Sequence, residues 1–71
     1  MRPNKYTLEK LRKDFNRGSR VELIFMDDPR APQVGTRGTV IGVDDAGTIH
    51  VDWDDGCKLG VAWGVDDCRL I

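Results

Sequence analysis

Residues 35–56 read Gly-Thr-Arg-Gly-Thr-Val-Ile-Gly-Val-Asp-Asp-Ala-Gly-Thr-Ile-His-Val-Asp-Trp-Asp-Asp-Gly, so that short runs of β-forming residues alternate with Asp and Gly. Runs of this kind, bounded by turns that contain glycine, are typical of antiparallel strands joined by tight hairpins. The stretch predicts a β-meander within a small sandwich or barrel. Such an architecture hosts many unrelated functions, so function has to be argued from particular residues.

The second hairpin of the meander is predicted from the spacing of its apolar residues. A two-residue turn would mix apolar and charged residues on one face, whereas a three-residue loop over 54–56, with Gly56 left-handed, keeps the apolar residues together. The predicted pairs are Trp53 with Cys57, Val51 with Leu59, and Ile49 with Val61.

The same loop chemistry over residues 45–47 predicts the first hairpin. Its pairs are Val43 with Ile49, Ile41 with Val51, and Thr39 with Trp53. This register leaves Val40 on the outer face, where a bulge in the strand or the covering helix would have to account for it.

A short helix is predicted ahead of the meander. Thr7 is the expected N-cap of a helix that runs from about Leu8 to Phe15, and Leu8, Leu11 and Phe15 form one apolar stripe. Two helical turns barely form alone in water. The stripe is therefore expected to pack on the sheet.

The remaining segments supply the outer strands. Arg20–Phe25 alternates like a strand, and Met26–Gly35, with its two prolines, predicts a long loop of the kind that often carries function. Residues 62–67 predict a turn or a short 3₁₀ segment before a last strand at Cys68–Ile71.

These elements predict a mainly β fold. A chain of 71 residues makes one domain with a small core. We expect a single domain over residues 1–71, with one short N-terminal helix at 7–16 and a small five-stranded SH3-like barrel at 19–71.

The charge is unevenly distributed although the net charge is only −1. Through Arg20 there are seven basic and two acidic residues, whereas the rest of the chain has four basic and ten acidic residues. The basic head either contacts an anionic partner or docks on its own acidic body.

Cys57 and Cys68 are the only cysteines, and no cluster of histidines accompanies them. We therefore expect no metal site, and reduced thiols that could be close enough to bridge under oxidation. The N-terminus has no apolar leader segment and no run is long enough to cross a membrane, which predicts a cytoplasmic protein without membrane association.

An ordered series of motifs runs along nearly the whole chain from the helix onward. It begins with Gly18-x-Arg20-Val21, Met26-Asp27-Asp28-Pro29-x-Ala31-Pro32 and Gly35-Thr36-x-Gly38-Thr39-Val40-x-Gly42-Val43-Asp44-Asp45-x-Gly47, and ends with Trp53-Asp54-x-Gly56 and Gly64-Val65-Asp66. With these motifs the chain resembles a family of short, uncharacterised bacterial and phage proteins known only as a domain of unknown function. The resemblance implies a small barrel and no known activity.

Three positions depart from that family pattern. Asp55 and Cys57 stand where the pattern has Asn and Ser, and Trp63 stands where it often has Pro. Any role of Cys57 or Trp63 is then particular to this chain.

Acidic pairs recur at the predicted turns, at residues 27–28, 44–45, 54–55 and 66–67. A hard cation such as Ca²⁺ would need several such oxygens, but no loop has the spacing of a calcium-binding motif. Asp at turns accepts hydrogen bonds from backbone amides nearby, so turn chemistry is the better interpretation.

No pattern indicates catalysis. His50 is the only histidine and has no Ser or Cys neighbour in the sequence, and Cys57 is expected to face the core. We therefore expect no enzyme and no cofactor.

A partner groove is the leading functional prediction. Trp53 shares the inward face of its strand, whereas Trp63 lies in a turn where burial is hard to arrange. In an SH3-like barrel the long loop and this turn are neighbours. The residues predicted to rim one groove are Met26, Asp27, Asp28, Pro29 and Trp63; a rigid cap of the loop is the structural alternative for the first four.

The predicted function is a non-enzymatic protein–protein binding module, with an accessory protein of phage or mobile-element origin as its setting. The alternative is nucleic-acid binding through the basic helix. Its predicted phosphate contacts are Lys10, Arg12, Lys13 and Arg17, together with Lys5 and Arg20. The acidic body argues against this alternative because it would repel the same phosphates.

Overall fold

The computed structural model describes residues 2–71 and contains one helix followed by four strands. The elements are α1 (Lys5–Asp14), β1 (Arg20–Phe25), β2 (Arg37–Val43), β3 (Ile49–Trp53) and β4 (Asp67–Leu70). The strands form one antiparallel sheet in the order β3-β2-β1-β4. The prediction of a mainly β chain with one short helix is confirmed.

Both predicted hairpin loops are present. Gly47 and Gly56 have φ of +83° and +94°, a conformation that glycine adopts without steric cost. Asp44 Oδ1 accepts the Ala46 and Thr48 amides at 3.0 and 2.9 Å, and Asp55 Oδ1 accepts the Cys57 amide at 2.9 Å. These carboxylates shape turns, as turn chemistry predicts.

Only the first of the three predicted pairs of the first hairpin is confirmed, and the other two are wrong. Val43 does pair with Ile49, but a bulge at Ile41 shifts the ladder by one residue, so that Val40 faces Val51. Val40 is then 1% exposed and Ile41 is 45% exposed. A bulge places one extra residue in one strand, and here it lets both Val43 and Val40 face the core while Ile41 points outward.

Of the five predicted strands, the one over residues 57–61 is reduced to one isolated bridge. Ile49 and Val61 exchange both backbone hydrogen bonds, at 2.9 and 2.8 Å, and the Trp53 amide reaches Cys57 O at 2.9 Å, as the predicted pairs require. Between them, Leu59 O accepts the indole N–H of Trp53 at 2.8 Å. This side-chain bond takes the place of a regular ladder.

The end of β1 also differs from the alternation. Val21 and Leu23 are buried, but Phe25 is 52% exposed. The cause is a second irregularity: the β1–β4 register shifts between Leu23 and Phe25, and Phe25 then pairs with Asp67.

The helix begins and ends earlier than predicted. Its N-cap is Asn4 and not Thr7, because Asn4 Oδ1 accepts the Thr7 amide at 2.8 Å. Phe15 is its C-cap, and Gly18 follows with φ of +95°. No helix of residues 2–71 is long and apolar enough to cross a membrane.

The core lies on the inner face of the sheet. It consists of Val21, Leu23, Val40, Ile49, Val51, Trp53, Val61 and Cys68. Leu11 of α1 and its C-cap Phe15 pack against this cluster, but α1 has no fully buried residue. The helix is therefore attached to the sheet over a small area.

Gly38 is the position at which β2 passes closest to the core. A Cβ there would lie 2.5 Å from Val51 Cγ1 and 2.8 Å from Trp53 Cε3, whereas a Cβ at Gly42 would meet nothing within 4 Å. We expect Gly38→Ala to lower the free energy of unfolding by about 1–3 kcal/mol through overpacking. Gly42→Ala, the matched control, should change it by less than about 0.5 kcal/mol. Urea unfolding of both variants measures the difference; equal values would contradict this packing.

Candidate binding site

A cavity of about 220 Å³ separates the helix from one end of the sheet. Its apolar lining is Leu11, Phe15, Ile49, Val61 and Trp63, and its rim is Gly64, Asp66, Asp67 and Cys68. We call it the Trp63 cavity. The cavity exists because Leu11 and Phe15 contact the core cluster without filling the space between the helix and the sheet.

Trp63 is held in place by the turn that contains it. The amides of Val65 and Asp66 both donate to Ala62 O, at 3.1 and 2.9 Å, and Gly64 has φ of +82°. The Trp63 side chain is half-buried. A Cβ on Gly47 would lie 3.1 Å from Trp63 Cβ, so Trp63 lies directly beside the first hairpin.

Asp66 joins this turn to the long loop. Its Oδ1 accepts the Asp27 amide at 2.8 Å and its Oδ2 accepts the Ala62 amide at 2.9 Å. The start of the loop and the Trp63 turn are thus neighbours, as the groove hypothesis requires. Turn chemistry, as predicted for the acidic pair at residues 66–67, accounts for the bond to the nearby Ala62 amide, but the bond to the Asp27 amide in the long loop was not predicted.

The loop residues of the predicted groove do not line the Trp63 cavity. Met26 packs against the core, and Pro29 is exposed. Asp28 binds Arg30 through its side chain, at 3.3 and 3.2 Å, and through the Arg30 amide at 2.8 Å. These hydrogen bonds lower the pKa of Asp28 below its ordinary value, and the bond from the Arg30 guanidinium has the largest effect.

The basic residues of the head are partly neutralised within the chain. Arg12 donates to Asp45 Oδ1 at 2.7 Å, and Lys10 pairs with Asp14 at 3.1 Å. Lys13 and Arg17 have no acidic partner within 4 Å among residues 2–71. Of the six predicted phosphate contacts, Lys10 and Arg12 are therefore engaged in ion pairs, and Arg20 is a third.

Arg20 also contacts the acidic body. Its two terminal nitrogens donate to the two oxygens of Asp54 at 2.9 and 2.6 Å. This paired geometry raises the pKa of Arg20 and lowers the pKa of Asp54, in both cases mainly through the hydrogen bond between the two side chains. The contact is of the strong bidentate kind.

β4 lies at one end of the sheet and has β1 as its only strand neighbour among the described residues. The Ile71 amide donates to Arg20 O, which shows that residues 69 and 71 direct their backbone groups toward β1. Since these directions alternate along an antiparallel strand, Cys68 and Leu70 direct theirs away from β1. We call this side the β4 edge.

The outer face of the sheet carries an ion pair network beside this edge. Glu22 lies between Arg37 at 3.6 Å and Arg69 at 3.0 Å, which occupy the flanking strands β2 and β4. The Arg69 hydrogen bond is the main cause that lowers the pKa of Glu22. This hydrogen bond fixes the position of the Arg69 side chain on the outer face of β4.

His50 and Asp44 form a pair on the first hairpin. His50 Nε2 lies 2.8 Å from Asp44 Oδ2, and this contact is the first cause that lowers the pKa of Asp44. Cys57 lies elsewhere, with its Sγ 3.9 Å from Arg30 O. In residues 2–71 no group of three His, Cys, Asp or Glu residues is arranged to hold a metal ion.

Fold and site together define a small β-rich domain with one N-terminal helix, an open sheet edge and an adjoining apolar cavity. The chain belongs to the family described as a domain of unknown function (DUF4314), which matches residues 4–71. A search of curated proteins and a search of solved structures each found no match.

The two hydrogen bonds of Asp66 generate a stability prediction. Asp66→Ala leaves the amides of Asp27 and Ala62 without their acceptor and should lower the free energy of unfolding by about 1–3 kcal/mol. The neighbouring Asp67 is exposed, and within residues 2–71 its carboxylate accepts no hydrogen bond and forms no ion pair. Asp67→Ala is therefore the control, and urea unfolding should leave it near wild type.

The thiol of Cys68 should be unreactive in the folded chain. Burial, with a smaller contribution from Asp67, raises its pKa from 9.0 to about 11. In a Cys57→Ser variant at pH 8.5, alkylation of Cys68 should be at least tenfold slower in the folded protein than in urea. The same shift makes the folded state lose stability as the pH rises from 9 toward 11, because the unfolded thiol ionises first. Equal alkylation rates would contradict the buried position of Cys68.

Proposed function

We propose that this chain is a non-enzymatic binding module that recognises an extended protein segment. The segment adds to the β4 edge as a further strand, and one of its apolar side chains enters the Trp63 cavity. Strand addition of this kind uses backbone hydrogen bonds for affinity and pockets for alternate side chains for specificity.

The observation that carries the proposal is the position of the cavity next to an unpaired strand edge. Cys68 belongs to β4 and also lines the rim of the Trp63 cavity. Side chains at alternate positions of an added strand point to the same face as Cys68. A strand on the β4 edge would therefore aim one side chain in two toward the cavity.

The size of the cavity suits this role. An apolar cavity of roughly 150 Å³ accommodates a benzene-sized group, and the Trp63 cavity measures about 220 Å³. Asp66 lines the cavity, and Asp67 lies next to it on the outer face of β4. These charges favour a segment that has a basic residue near its apolar anchor.

The proposal includes the SH3-like barrel predicted from the strand pattern. The segment at residues 57–61 returns to β3 at the Ile49–Val61 bridge, which supports its assignment as the remaining barrel strand. In this arrangement the Trp63 cavity lies at the seam between that segment and β4. The loop residues Met26–Pro29 flank the seam through the Asp27–Asp66 bond and serve as a secondary contact.

The nucleic-acid alternative has less support. Lys10, Arg12 and Arg20 already bind acidic residues within the chain, which leaves the predicted contacts Lys5, Lys13 and Arg17 without an acidic partner in residues 2–71. Binding driven by so few phosphate contacts would be weak at physiological salt. A titration with single-stranded and duplex DNA at low salt separates this alternative from the proposal.

A display library of short random peptides tests the proposal. Selected binders should weaken at least tenfold with Trp63→Ala, which removes one wall of the cavity, and with Leu70→Pro, which removes an outward amide of the β4 edge. Asp28→Ala should weaken binding less, since Arg30 occupies that carboxylate. Ile41→Ala, at an exposed position in β2, is the matched control.

The two indole N–H signals in NMR provide an internal check. The Trp63 signal should move when a selected peptide is added, whereas the Trp53 signal should stay, since Leu59 O holds its N–H in the core. Peptides that perturb only the exposed face of α1, or affinities that change with neither Trp63→Ala nor Leu70→Pro, would refute the proposal.

A further inference from the structure

We infer that the segment which adds to the β4 edge is β4 of a second copy of this chain, so that two copies form a symmetric antiparallel dimer. This inference rests on the function proposed above and names the partner at that same edge. Its basis is the order of charges in Asp67-Cys68-Arg69-Leu70, which complements itself when reversed.

The backbone directions restrict how two copies of β4 can pair. Only Cys68 and Leu70 direct their amides and carbonyls outward, so these residues must face each other across the two strands. A two-fold axis then passes through a pair of Cys68 residues, a pair of Arg69 residues or a pair of Leu70 residues. Registers shifted by one residue would pair an outward residue with an inward one.

Charge complementarity favours the register in which the two-fold axis passes through the pair of Cys68 residues. With Cys68 opposite Cys68 of the second copy, Asp67 of each chain lies opposite Arg69 of the other. Both side chains are on the outer face of the sheet and exposed. Opposite charges directly across an antiparallel pair are favourable, and the axis supplies this pair twice.

The other two registers lack this complementarity. An axis through Arg69 places the two guanidinium groups directly opposite each other, which is destabilising. An axis through Leu70 places Arg69 of each copy opposite Ile71 of the other, so Arg69 lies opposite an apolar residue and not an acidic one. In the selected register Glu22 engages only Nε of Arg69, so its terminal nitrogens remain for Asp67 of the second copy.

The apolar side chains agree with the same register. Leu70 is 46% exposed although it is paired with the fully buried Val21 and shares its face. With Cys68 on the axis, Leu70 of the second copy lies opposite Asp66, a rim residue of the Trp63 cavity. Each copy thus offers an apolar side chain to the cavity of the other.

The interface is short, since the overlap extends only over residues 66–70. Interfaces of small area are weak, so the dimer forms in proportion to concentration and exchanges readily. A concentration series in the analytical ultracentrifuge should show the average mass rising from 8.0 kDa toward twice that value.

Charge reversal tests the register directly. Asp67→Arg places four basic side chains across the axis, and Arg69→Asp places four acidic ones there, so each variant should be monomeric at a concentration where the wild type is mostly dimeric. An equimolar mixture of the two variants restores both opposite-charge pairs. The mixture should therefore sediment as a dimer although neither component does.

Arg37→Asp is the matched control, because Arg37 binds the same Glu22 but lies on β2, away from the β4 edge. It should dimerise like the wild type. Circular dichroism of each variant verifies the fold, and if Arg69→Asp fails to fold, Arg69→Gln, which removes the charge without reversing it, takes its place and should weaken the dimer at least threefold.

The outcomes separate this inference from the function proposed above. A wild type that stays monomeric up to millimolar concentration, or a mixture that stays monomeric, overturns the dimer. If selected peptides still bind such a monomer and lose affinity with Leu70→Pro, the strand-addition function stands without it. If dimerisation and peptide binding both ignore Leu70→Pro, the β4 edge carries neither.

Discussion

The buried indole of Trp53 is the contact on which the rest of the structure depends. It is 2% exposed and lies opposite Gly38, the one position of β2 where a side chain would collide with it. Its N–H holds Leu59 O and so turns the chain back toward β3. The return brings Val61 onto Ile49, and from there the chain enters the Trp63 turn and reaches β4.

A domain of this size can bury only a small core. Here the helix contributes no residue to the buried cluster, and β4 contributes only Cys68. The helix has no fully buried residue, and the Trp63 cavity lies beneath it. The unfilled space and the unpaired edge adjoin each other. Association at this place would bury apolar surface that folding leaves exposed and would thereby stabilise the folded chain.

Ion pairs position the basic N-terminal segment against the acidic remainder of the chain. Arg12 and Arg20 reach across to Asp45 and Asp54, so the basic head lies on the acidic body of the same chain. Exposed ion pairs contribute little stability singly. The Arg12–Asp45 pair has a larger effect on orientation, because it connects α1 to the first hairpin while the apolar contacts of α1 remain few.

Local chemistry determined the turns, because a glycine that follows paired Asp residues specified both hairpin loops. Gly47 and Gly56 adopt the left-handed conformation that the sequence indicates. The family and the mainly β class likewise follow from motif order and strand pattern. Only the tertiary structure decided the bulge at Ile41 and the reduction of the strand predicted at residues 57–61 to one bridge. It also decided that Asp66 accepts hydrogen bonds from both the long loop and its own turn. The physical reason is that residue patterns report which side chains prefer burial, whereas register and cavities result from competition among those side chains for one small core.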